Sequence, residues 1–133
     1  MRRQFELRED DEMFLCARRL SYETIIESNM RWLIIHEFPI PKGYSHCAAL
    51  TAVLMVPGYP DTQLDMVYFF PSLSRQDGKA IGGLTSHPLD GKNWQRWSRH
   101  RTAQNPWRPG EDDLSTHLLL VDEWLLREFG RTV

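Results

Sequence analysis

At 133 residues, with 41% hydrophobic and 26% charged side chains, the chain fits one domain burying roughly two-thirds of the surface its unfolded form exposes, and its composition argues against the disordered and fibrous classes. A formal net charge of −2 argues against a protein held to nucleic acid or a membrane mainly by counterion release. Its two cysteines, Cys16 and Cys47, make no disulfide framework, and each stands among apolar residues, where free cysteine behaves as a small hydrophobe.

The opening stretch MRRQFELREDDE lacks the apolar run of a secretory signal, and no segment approaches the roughly 20 residues that span a bilayer. A cytoplasmic location is expected. From Asp10 or Asp11, acidic residues precede EMFLCARRL and predict a short helix, because carboxylates favour the free amides and positive dipole end at a helix start. Cys16 is expected to pack on its apolar side. Ser21 is placed to cap a second short turn, YETIIESN. After Asn29 the period changes: RWLIIHEF is rich in aromatic and β-branched residues, is closed by Pro39 and Pro41, and predicts a strand. In CAALTAVLMV, Leu50, Ala52, Leu54 and Val56 share one face and Ala49, Thr51, Val53 and Met55 the other. Both faces are apolar, as in a central strand. His46 and Cys47 adjoin there, but neighbours on a strand point to opposite faces, which argues against a dyad.

PGYPD then reads as a turn and LDMVYFF as a third strand ended by Pro71, completing an antiparallel meander. Over residues 71–109 regular patterning is lost, and a stretch of that length in a compact domain is functional or mobile. Order returns where Asp112 or Asp113 can cap a final helix, with Leu114, Leu118, Val121 and Leu125 at helical spacing and Gly130 placed to stop it. No internal repeat is visible. The expected class is α+β, a single domain over residues 1–133: N-terminal helix, antiparallel meander, long ordered loop, C-terminal helix.

Two stretches carry a resemblance. VPGYPDTQLDMVYFFP resembles the tyrosine-proline turn between the second and third strands of ubiquitin-conjugating enzymes, and NPWRPGEDDLSTHLLLVDEWL resembles their tryptophan-x-proline segment before the next helix. More narrowly, WQRWSRHR, WRPG and LSTHLLLVDEWL resemble the prokaryotic family usually called family E of these enzymes. The resemblance covers nearly the whole chain. It implies the ubiquitin-conjugating-enzyme fold and, as partners, a ubiquitin-like protein of the multi-ubiquitin-domain kind and an activating-enzyme-like adenylating protein. It also implies a JAB-type metallopeptidase in the same pathway. One departure limits the analogy. Relatives follow a histidine-proline-asparagine motif with the cysteine that receives ubiquitin. Here His87 and Pro88 are followed by Leu89 and Asp90, and the interval beyond reads GKNWQRWSRHR, with no thiol.

Within that interval, an extended WQRWSRH puts Trp94, Arg96, Ser98 and His100 on one side and Gln95, Trp97 and Arg99 on the other. Ser98 and His100 are then expected to meet. A serine hydroxyl needs a base to take its proton, which a neutral histidine within hydrogen-bond reach supplies, and Arg96 or Arg99 could stabilise the oxyanion of an acyl transfer. That constellation would support an oxyester in place of a thioester. The plainer alternative is that Ser98 bonds a backbone group and His100 anchors the loop to Asp112 or Asp113. Trp94, Trp97 and Trp107 are candidates for contact with a ubiquitin-like protein, set against service as core or pocket walls, with Trp107 packing against the meander and Trp124 against the closing helix's neighbours. Arginine beside tryptophan also suits single-stranded nucleic acid, but there is one such patch and the acidic GEDDLS follows it. The histidines are scattered and no cysteine pair has ligand spacing, so neither a metal nor a cofactor is expected. The expected function is transfer or positioning of a ubiquitin-like C-terminus without the usual cysteine, through a hydroxyl or directly to an amine; the alternative is a non-catalytic binding adaptor.

Overall fold

Four carboxylates in the first turn, Glu9, Asp10, Asp11 and Glu12, start helix α1 (Glu9–Ala17) in the computed structural model, which describes residues 1–130. Its buried positions are Asp11 and Leu15, one helical turn apart. Cys16, one residue on, is rotated about 100° from that stripe and is exposed, correcting the expectation that it packs. Cys47, just before the second meander strand, is exposed as well.

The stretch YETIIESN is a strand, not a helical turn. Its tyrosine, threonine and isoleucines favour the pleated sheet, and they form β1 (Tyr22–Glu27), paired antiparallel with β2 (Met30–Pro39). Ser28 and Asn29 take φ of 53° and 62°, the two left-handed residues that a tight hairpin turn requires. β3 (Ala48–Leu54) and β4 (Val67–Phe70) complete the predicted meander.

A second correction concerns residues 71–109. They contain another hairpin, β5 (Leu84–Leu89) and β6 (Lys92–Trp97), turned by Asp90 and Gly91 at φ 53° and 73°. β6 pairs with β4, giving a six-stranded antiparallel sheet in the order β1-β2-β3-β4-β6-β5. Most of the tryptophan segment is therefore interior strand rather than loop.

Both faces of this sheet are buried. On one, Leu33, Val53, Phe69 and Trp97 pack with Leu15 of α1 and with Leu114, Leu118 and Val121 of α2 (Leu114–Arg127). On the other, Trp32, Ile34, Tyr68 and Trp94 form a separate aromatic cluster. No helix residue belongs to that cluster, because the sheet curls over it. The His87 ring of β5 lies 5.3 Å from Trp32 of β2 and 5.1 Å from Tyr68, although strands four places apart in a flat sheet stand roughly 19 Å apart. The seam between the two edges is held by polar groups. Asp90 donates its N–H to Glu27 (3.0 Å), while the Arg2 guanidinium grips Asp90 through two bonds (2.8 and 2.7 Å) and Glu23 through a third (2.9 Å).

The remaining loop is anchored at both ends. Trp107 Nε1 donates to the Pro60 carbonyl at 3.0 Å, so it packs on the β3–β4 connection. Of the two predicted caps, Asp113 is the N-cap of α2, accepting from the Ser115 and Thr116 amides. Asp112 instead pairs with Arg101 at 3.5 Å. The Tyr59 hydroxyl donates to buried Asp11 (2.8 Å) and accepts from the Leu114 amide (2.7 Å), tying the tyrosine-proline turn to both helices.

Candidate functional site

The site lies where β4 begins and β6 ends. Met66, immediately before β4, has φ 58°, a left-handed conformation costly for a side chain without a local polar partner. Three bonds hold this region: the Met66 amide donates to the Arg99 carbonyl (3.2 Å), the Met66 carbonyl accepts from His117 Nε2 (3.0 Å), and the Ser98 amide donates to the Gly83 carbonyl (2.9 Å). His117 sits on α2, fully buried against Trp124. Burial pushes its pKa down to about 4, so the ring is neutral, donates from Nε2 and leaves Nδ1 without a partner among the described residues.

This clamp presents the residue before Met66. The Asp65 carboxylate meets His100 Nδ1 at 2.9 and 3.0 Å. A carboxylate accepts from this nitrogen, so Nδ1 carries the hydrogen of the pair, and in a neutral ring Nε2 is the acceptor. The His100 side chain is 61% exposed, which makes that nitrogen accessible. The predicted loop anchor is thus a carboxylate, but Asp65 rather than Asp112 or Asp113. The Ser98–His100 pair is not formed: Ser98 is half-buried, and no hydrogen bond of its hydroxyl occurs among the described residues.

Arg96 stands opposite Tyr68 on β4 and Thr85 on β5. Its Nε donates to Thr85 Oγ1 at 2.8 Å, and it makes no ion pair among the described residues. Burial raises the Tyr68 hydroxyl pKa, Arg96 opposes that rise and Asp65 adds to it. His87 is held below its ordinary value by burial first and Arg96 second. Arg99 has a different role. It bonds Glu128 at 3.1 Å, lies over the Trp97 ring and presses against Gly83, where an added Cβ would come within 2.8 Å of its Nη1. Its charge is already paired, so of these two arginines Arg96 is the one without an ion pair among the described residues.

Trp94 and Trp97 are 1% and 0% exposed and present no ring face at the surface. Trp94 Nε1 donates to the Leu89 carbonyl and Trp97 Nε1 to Gln95, whose side chain also clamps both backbone groups of Leu73. They are the two walls of β6. Trp107 is half-buried under Arg101. Asp65 escaped sequence reasoning because nothing in LDMVYFF distinguishes a carboxylate that ends a loop from one that faces a histidine 35 residues away.

Among the described residues no histidine, cysteine and carboxylate cluster could hold a metal, and no helix is long and apolar enough to cross a membrane. A cavity of about 650 Å³ opens elsewhere, lined by Phe5, Leu7, Arg8, Asp11, Met55 and Tyr59 among others. None of the sequence-predicted site residues lines it.

Residues 7–128 match the family model described as Prokaryotic E2 family E, and with nearly all of its length covered the chain belongs to that family. The helix, six-stranded antiparallel sheet and closing helix are consistent with a ubiquitin-conjugating-enzyme-like fold. No curated protein and no solved structure matches the chain.

Proposed function

We propose that this family E protein, an E2-like component of a prokaryotic ubiquitin-like pathway, takes the activated C-terminus of a ubiquitin-like protein from an adenylating partner and passes it to an amine without a cysteine. The observation that carries the reading is the Asp65–His100 pair, whose imidazole is 61% exposed; Arg96, four residues earlier, bonds Thr85 and makes no ion pair among the described residues. His100 Nε2 takes the proton of the attacking amine as its nitrogen bonds to the acyl carbon. The bond from that carbon to the activating group breaks, and the leaving group departs with the electron pair. Asp65 holds the tautomer and offsets the imidazolium that forms. Arg96 donates to the oxyanion. Ser98 is the alternative acceptor, reached if its hydroxyl turns to His100. Neither cysteine supports a thioester here: Cys16 is on α1, and Cys47 precedes β3 at the Phe70 end of β4, away from Asp65.

The absence of a Ser98–His100 hydrogen bond among the described residues favours a second reading, a binding adaptor that orients a ubiquitin-like protein without reacting. A nucleic-acid role draws little support, since Arg99 and Arg101 are paired with Glu128 and Asp112. Incubation with the adenylating partner, ATP and the ubiquitin-like protein separates the readings. Transfer to an amine that fails in His100→Ala supports catalysis. An adduct on the protein itself, stable to thiols and cleaved by hydroxylamine, indicates Ser98. Binding without transfer identifies the adaptor.

A further inference from the structure

The outer edge of β5 is unused. Its turn closes on the pair Leu89 and Lys92, so main-chain bonding across the hairpin alternates through Leu89, His87 and Thr85. The Ser98 amide to Gly83 carbonyl bond, at 2.9 Å, continues the same alternation. Leu84 and Ser86 therefore turn their N–H and C=O groups outward. Pro88 takes the next outward position, where it has no N–H to offer. Sheet edges are ordinarily blunted by charge, proline or cover. LTSHPL has no charged residue, no strand covers it among the described residues, and its proline guards the end near the turn. The unguarded end is the one beside Ser98. There Arg96 reaches across from β6 to Thr85, unpaired with any carboxylate among the described residues.

We infer that this edge receives the extended C-terminal tail of the ubiquitin-like partner as a seventh strand, antiparallel to β5, bonded to Leu84 and Ser86 and ending at Arg96. The partner's identity rests on the function proposed above. The direction follows from the register: β5 runs away from the site, from Leu84 opposite Trp97 to Leu89 opposite Lys92, so a tail that delivers its C-terminus to the site runs the other way. The carboxylate of a free tail, or the carbonyl oxygen of an activated one, complements the guanidinium. Main-chain bonds supply the affinity at such an edge, and small terminal residues leave the tail's end unobstructed beside Arg96.

A generic probe tests this: a short synthetic peptide of β-branched residues ending in Gly-Gly, as free acid and as amide, titrated into the isotope-labelled full chain and followed by NMR and amide exchange. The Leu84 and Ser86 amides are expected to shift and gain protection, and the free acid to bind several-fold more tightly than the amide. Arg96→Gln should erase that difference. Ser86→Pro, which removes an N–H outside the ladder, should abolish binding while Ser86→Ala retains it. Should Ser86→Pro fail to fold, amide exchange in the unaltered protein still decides. Shifts remote from β5, or wild-type binding by a folded Ser86→Pro, overturn the inference. So does concentration-dependent protection of Ser86 without peptide, which would mean that a second copy occupies the edge. Peptide binding at β5 without transfer in the complete reaction removes the catalytic reading and leaves this one; transfer without Ser86 protection does the reverse.

Discussion

His117 donates Nε2–H to the carbonyl of Met66 across 3.0 Å and so helps to hold Met66, the residue that follows Asp65. A buried imidazole with its pKa pushed down to about 4 is neutral in the folded protein at pH values where the unfolded chain would already bind a proton. Stability is therefore full above the ordinary histidine value of roughly 6.5, falls as pH drops toward 4, and levels below it. The loss from this residue is about 3 kcal/mol. Urea unfolding at a series of pH values should show it, and His117→Phe should flatten the profile between these limits. Glu23, lowered to about 2 mainly by its bond to Arg2, acts in a separate, more acidic window, its contribution being lost as pH falls from the ordinary carboxylate value through 2.

Asp65→Asn should keep the fold but leave His100 without an anion to stabilise its charged form. Transfer is expected to fall by about 10²–10⁴-fold in this variant and in His100→Ala. Binding of the ubiquitin-like protein, measured by calorimetry, should change little. Equal loss of binding and transfer would point to a purely structural role for the pair.

Tyr59→Phe removes the donor to Asp11 and the acceptor for the Leu114 amide together. Asp11 is 1% exposed, and burial already raises its pKa. Leaving it without that partner should cost about 2–3 kcal/mol, read as a lower urea midpoint with an unchanged slope.

Gly83→Ala places a Cβ at φ 69° and within 2.8 Å of Arg99 Nη1. Because Arg99 is held by Glu128 and stacked on Trp97, it cannot swing away freely. A loss of about 1–2 kcal/mol is expected from the backbone conformation alone, together with weakening of the Arg99–Glu128 pair, visible in the arginine Nε–H resonance.

Much of this fold was legible in the sequence. The meander was readable because β2, β3 and β4 are bounded by prolines and glycines, and α2 because its apolar residues repeat at helical spacing behind a capping aspartate. β1 was missed because acidic residues at both ends of YETIIE imitate a helix, while the Ser-Asn turn that makes it a hairpin is a weaker signal than Asn-Gly. The β5–β6 hairpin did carry a recognised signal, Asp-Gly between alternating residues, but it was masked by the tryptophans, whose rings face opposite sides of the sheet. At the candidate site, Arg96 and His100 were singled out from their own segment alone. Asp65 and His117 were not, because their roles come from β4 and α2 meeting that segment in space.

The bond between Arg2 and Asp90 joins groups 88 positions apart in the chain, whereas each hairpin beneath it is built from neighbours. Closing so long a loop carries a larger entropy cost than closing either hairpin. In the finished protein the same clasp is partly solvated, with Arg2 41% exposed, and opens more readily than the buried core. Its release lets the aromatic pocket around Trp32 breathe while the helical half stays intact, so Trp32 should meet a fluorescence quencher more readily than fully buried Trp97.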